Sequence, residues 1–183
     1  MGLFNKKKHT EEPKGKPLDF DPLNVQIRDL RIGFFVDYNL KTFEITGGFE
    51  VTTKEGSFRF MKMDAADEIF WLLVENGTET YIAQSAEVNM VNPGIPAIMQ
   101  NFGKAPAGLN YRDILYSCMN QSDGKFRDLV KNAMDWNKAT CWKYSGNEGT
   151  ELLLVLQKGQ NTFEAWTAKK TDATEFSNFL PRY

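Results

Sequence analysis

The sequence predicts a β-dominant α+β fold: an antiparallel meandering sheet or partly open barrel, with short helices inserted in the middle and one at the C-terminus. Three observations point there. Polar and apolar residues alternate through Thr42-Phe43-Glu44-Ile45-Thr46, which sets Phe43 and Ile45 on one face of a strand. Asn76-Gly77 is a strong hairpin signal between two strand-like runs. Aromatic residues make up 13% of the chain, with 14 Phe, 6 Tyr and 4 Trp, ample material for a core and hence against global disorder.

Residues 1–22 begin with a basic cluster, carry Pro13, Pro17 and Pro22, and lack apolar periodicity, so they read as a flexible arm ahead of one domain over residues 23–183. Phe49 and Val51 repeat the alternation after Gly47-Gly48, and the glycine pair predicts a bulge or sharp bend. Ser57 to Met63, Glu68 to Glu75 and Thr80 to Glu87 follow as strands. Asp64-Ala65-Ala66-Asp67 and Asn76-Gly77 separate them. The middle changes character after Asn92-Pro93-Gly94. Ile95 to Phe102, Tyr111 to Cys118 and Lys125 to Trp136 have spacings nearer to helical, and Phe126, Leu129, Val130 and Ala133 form one apolar stripe. Strands return at Ala139 to Tyr144, Glu151 to Gln157 and Thr162 to Lys169. A final helix opens at Asp172, with Glu175 as its capping-box partner. Lys41-Thr42-Phe43-Glu44 and Asn161-Thr162-Phe163-Glu164 echo each other, but four residues do not establish a duplication.

The charge balance of 22 basic against 24 acidic residues gives −2, unlike the basic footprint of a phosphate-backbone binder, so nucleic acid is not an expected partner. No run approaches the roughly 20 apolar residues of a spanning helix, and no apolar core of a secretory signal follows the start. A cytoplasmic protein is expected, with Cys118 and Cys141 as reduced, inert thiols. Lys6, Lys7 and Lys8, preceded by Leu3 and Phe4, can approach the inner face of an anionic membrane, but three lysines make a weak anchor. Lys6 also breaks the myristoylation pattern that Gly2 would begin.

The chain carries no recognisable catalytic apparatus. Its single histidine, His9, lies in the arm, which removes the base of Ser-His-Asp and Cys-His triads. Two cysteines and one histidine cannot supply a zinc set, and the glycines of residues 103–108 and 146–149 lack the order of a phosphate loop. Neither a metal nor a cofactor is expected. Asp64, Asp67 and Glu68 are the carboxylates nearest to an acid or base pair, and they stand in a turn where carboxylates are commonly solvated. The run Ile69 to Val74 points side chains to both faces of a strand, so either both faces are covered, by the middle helices on this reading, or one is a contact patch.

Leu30 to Tyr38, then Lys41 to Gly47, and later Trp142-Lys143-Tyr144-Ser145, Leu152 to Leu156 and Thr162 to Trp166 resemble the bacterial family catalogued as domain of unknown function 4178. Ser57 to Met63 stands where that family carries a tryptophan-rich strand. The resemblance implies a bacterial cytoplasmic protein that accompanies membrane-stress or ion-channel-like membrane proteins, and it names no active site.

These readings converge on a binding module or adaptor, not an enzyme. The expected occupant is a protein partner, met by an aromatic sheet face at Phe70, Trp71, Trp142 and Trp166 or by an edge strand, which would also permit homo-oligomers. One alternative is a small-ligand carrier with an aromatic-lined pocket, and another is a carboxylate-dependent enzyme.

Overall fold

A computed structural model describes residues 21, 24–76, 79–84, 97, 105–131, 135–159 and 162–181. Eleven strands dominate them: β1 (Phe35–Tyr38), β2 (Lys41–Thr53), β3 (Ser57–Ala65), β4 (Glu68–Glu75), β5 (Glu79–Gln84), β6 (Gly108–Tyr111), β7 (Ile114–Asp128), β8 (Asn137–Gly146), β9 (Glu151–Lys158), β10 (Thr162–Thr171) and β11 (Phe176–Leu180). All pair antiparallel in one sheet ordered β11-β1-β2-β3-β4-β5-β10-β9-β8-β7-β6, with a further β2–β7 ladder. That ladder returns the path of pairings to its start, so eight strands from β2 to β5 and β10 back to β7 form a closed circuit.

The two halves follow one plan. Each opens with a four-residue strand, β1 or β6, and a two-residue turn with positive φ at both positions: Asn39 and Leu40 at 49° and 62°, Arg112 and Asp113 at 50° and 62°. A long strand follows, and in both its sixth residue, Thr46 or Met119, is bulged out of register with the next strand. Three further strands complete each half. The halves meet along the β2–β7 ladder, where Thr52 faces Lys125, each the twelfth residue of its strand. The ladder therefore reads the same from either half, as an internal two-fold requires.

The bulges have a consequence for packing. An extra residue reverses which face every later side chain takes. Before its bulge β2 turns Phe43 and Ile45 into an outer core, and after it Phe49 and Val51 into a central one. In β7, Tyr116 lies before the bulge in a second outer core, and Phe126 after it packs against the central core. Gly48 permits the bend, for its φ is +142° and a Cβ would stand 2.3 Å from the Phe60 carbonyl oxygen. The central core, with Phe49, Phe60, Leu73, Leu154, Leu156 and Trp166, draws on both halves. The outer cores repeat each other, Met61 and Met63 in one standing where Trp142 and Tyr144 stand in the other.

Several expectations need correction. Tyr111 to Cys118 is not helical: it leaves β6, turns and enters β7. Lys125 to Asp128, with Phe126 of the apolar stripe, ends β7; Leu129 and Val130 lie in a bend in which the Asp128 carboxylate accepts from the Val130 and Lys131 N–H groups at 2.9 and 3.1 Å, and Ala133 lies outside the described residues. Val130 is left exposed there. Ile95 to Phe102, apart from Ala97, and the arm with Lys6, Lys7 and Lys8 lie outside the described residues. The C-terminal helix is a single 3₁₀ turn, Ala173–Glu175, closed by the expected Asp172 and Glu175 box and followed by β11. The echo between residues 41–44 and 161–164 links β2 to β10, which hold different places in the repeat, so the duplication of plan lies elsewhere.

Candidate functional site

The residues singled out from the sequence lie mostly inside. Phe70 is 7% exposed, in the first outer core with Tyr38 and Phe43, at centroid distances of 5.7 and 5.6 Å. Trp142, 3% exposed, belongs to the second outer core, and Trp166, 2% exposed, to the central one. Trp71 is half-buried, stacked on Phe60 at 5.0 Å. The run Ile69 to Val74 is covered on both faces, as one reading of it required, by the central core and by an outer core of Ile27, Leu30, Phe34 and Phe176. Among the described residues that cover comes from strands, from Leu30 and Phe34 and from a 3₁₀ turn, Ile27–Asp29, not from the middle segments expected to be helical. Phe70, Trp142 and Trp166 are thus interior packing, and Trp71 is partly exposed beside them.

A cleft of about 650 Å³ opens where the first outer core ends. Residues 30–32 form one wall, and β2, β3, the ends of β4 and β7 and the residues just beyond them supply the rest. Sequence places these walls simply. Ile27 and Leu30 bury into the outer core, which draws the segment onto the sheet. Arg59 pins it there by donating from Nη1 to the Leu30 carbonyl at 2.7 Å and from Nη2 to the Arg28 carbonyl.

Alternation then decides what faces the cleft. Phe49 and Val51 turn inward, so Glu50 turns outward between two strands. It faces Arg59 across the β2–β3 ladder and Arg127 across the β2–β7 ladder. Arg127 donates from Nε to Glu50 Oε2 at 2.7 Å and from Nη2 to the same oxygen, while its guanidinium lies 4.7 Å from the Trp136 ring centroid. Arg31, exposed, completes the set. Burial holds the Arg59 guanidinium below its ordinary proton affinity. Glu50 and Asp29 oppose that shift, and repulsion from Arg31 and Arg127 adds to it. Three guanidiniums therefore line a cleft whose lining holds one carboxylate. None of them stood out in the sequence; the readable signal was only the alternation that turns Glu50 and Arg127 outward.

The other candidates for chemistry are held in structural contacts. Lys62 pairs with Asp64 at 2.7 Å, and Lys41 with Asp67 and Glu68 at 2.8 and 3.1 Å. Cys118 and Cys141 are free, and burial pushes the Cys141 thiol up to about 12. Among the described residues no three His, Cys, Asp or Glu side chains gather as a metal site would need, and no helix is long and apolar enough to cross a membrane.

A family model described as a domain of unknown function, DUF4178, matches residues 31–173, which takes in both halves of the fold. No curated protein and no solved structure matches the chain.

Proposed function

We propose, for a chain that belongs to the DUF4178 family, a non-catalytic binding module that seats a carboxylate-bearing segment of a protein partner in the arginine-lined cleft. The observation that carries this reading is the gathering of Arg31, Arg59 and Arg127 around a single lining carboxylate, Glu50. A guanidinium offers a carboxylate two parallel hydrogen bonds, and an anion entering among like charges relieves their repulsion. The adaptor role expected from the sequence is kept, with its contact residues placed in the cleft instead of at Phe70, Trp71, Trp142 and Trp166. A cytoplasmic setting and an acidic segment of a membrane-stress protein as the partner belong to the same proposal. The carrier alternative loses support from the central core, where Phe49, Phe60 and Trp166 stand with ring centroids 4.9 to 5.4 Å apart and fill the interior that a ligand would need.

Fluorescence anisotropy with a dye-labelled octaglutamate peptide tests this on the full chain. Binding should weaken with added salt. Arg31→Gln with Arg127→Gln should weaken it about thirtyfold, for two contacts of about 1 kcal/mol each. Equal binding of octalysine or of a neutral peptide would overturn the reading.

A further inference from the structure

We propose that a second anion site, related to the first by the internal two-fold, lies at Lys54, Lys125 and Lys138, and that the two sites form one track for an extended acidic chain. This rests on the binding reading above. The correspondence comes from register. Counting from the first residues of β2 and β7, Glu50 matches Asp123, Arg127 matches Lys54 and Thr52 matches Lys125. Ser57 on β3 matches Lys138 on β8. The arginine-lined cleft thus has its counterpart in two adjoining shallow clefts of about 450 and 440 Å³, which share Asp123 and Lys125.

The counterpart differs in one respect that points to a ligand. In the first cleft Arg127 is held by Glu50, whereas Lys54, Lys125 and Lys138 are exposed and have no ion-pair partner among the described residues. Asp123 instead accepts from the Thr140 hydroxyl at 2.8 Å. Lys125 and Lys138 face each other directly across the β7–β8 ladder, an arrangement of like charges that destabilises a sheet until an anion is shared between them. The net charge of −2 makes this cationic strip a local feature, not a reflection of the whole chain. Trp136, 38% exposed, lines the second site while it packs on Arg127 of the first, so the two are contiguous. From Glu50 to Lys54 the track runs four residues, about 13 Å, the reach of about four residues of an extended peptide.

Anisotropy with octaglutamate and with N-acetylated, amidated diglutamate separates this inference from the reading it rests on. Three variants of the full chain are compared after their melting curves confirm folding. Lys54→Gln with Lys125→Gln and Lys138→Gln should weaken octaglutamate about tenfold and diglutamate less than about twofold. Arg112→Gln with Lys169→Gln and Lys170→Gln, the same charge change away from the β2–β7 ladder, should move either by less than about twofold. Arg31→Gln with Arg127→Gln should weaken both peptides. If the triple lysine variant binds octaglutamate like the wild type, the track is overturned and the arginine site stands. If no acidic peptide binds the wild type, both fall. Tighter binding of an eight-nucleotide single strand than of octaglutamate, lost in the lysine variant, would also overturn the track as a peptide site.

Discussion

Gly124 of β7 stands against the backbone of β2. A Cβ there would lie 2.2 Å from the Thr52 carbonyl oxygen, and that atom is backbone and cannot swing aside. Gly124→Ala should therefore destabilise the fold by about 2–4 kcal/mol, read from urea denaturation, although alanine is ordinarily tolerated in a strand. Asp37 offers a residue-scale test by pH. Its carboxylate accepts from Asn178 Nδ2 at 2.7 Å and from Thr42 Oγ1 at 2.6 Å, and these bonds, Asn178 first, lower its proton affinity. A carboxyl lowered in the folded state stabilises fully above its unfolded value of about 3.9 and loses that contribution as pH falls through the folded value. The melting temperatures of wild type and Asp37→Asn should differ at pH 6 and converge as pH drops below about 4. The Asn178 contact was not legible in the sequence, because Asp37 and Asn178 lie 141 residues apart and nothing local pairs them.

At the scale of elements, β2 to β5 were legible because each carries a dense alternation or apolar run between turn residues. β7 was not, and its composition says why. After its bulge its inward positions are Ser122, Gly124 and Phe126, of which only the last is apolar and large. A strand whose inward positions are mostly small or polar shows no clear period of two. β11 was hidden similarly, with Phe176 its one fully buried residue. The bulges make a test that separates residue from register. Met119→Thr, at a position 64% exposed, should change stability by less than about 0.5 kcal/mol. Deleting Met119 should abolish the cooperative melt, because residues 114–118 would turn over, bringing Leu115 inward and Tyr116 out.

At the scale of the whole molecule, the central core makes the halves interdependent. Trp166→Ala removes an indole that packs on Phe49 and Phe60 of the first half, so it should cost about 3–5 kcal/mol and shift both halves together. Far-ultraviolet circular dichroism and tryptophan fluorescence should then trace one coincident urea transition, and two separate transitions would refute a shared core. The repeat itself could not be read from the chain. Lys41 to Glu44 corresponds to Ile114 to Ser117, and only the aromatic third position is alike, because each copy needs buried volume there and little else. The ladder that joins the halves also sets an order of events during folding. β3 and β4 meet across a two-residue turn, whereas Thr52 and Lys125 must find each other over 125 − 52 = 73 positions of chain. Closing so long a loop is paid in chain entropy before any contact forms, so local hairpins form early and the join forms late. Until then, Phe49, Phe60 and Trp166 belong to surfaces open to water, and the newly made chain is at its most prone to aggregate in the interval before its two copies of one plan close on each other.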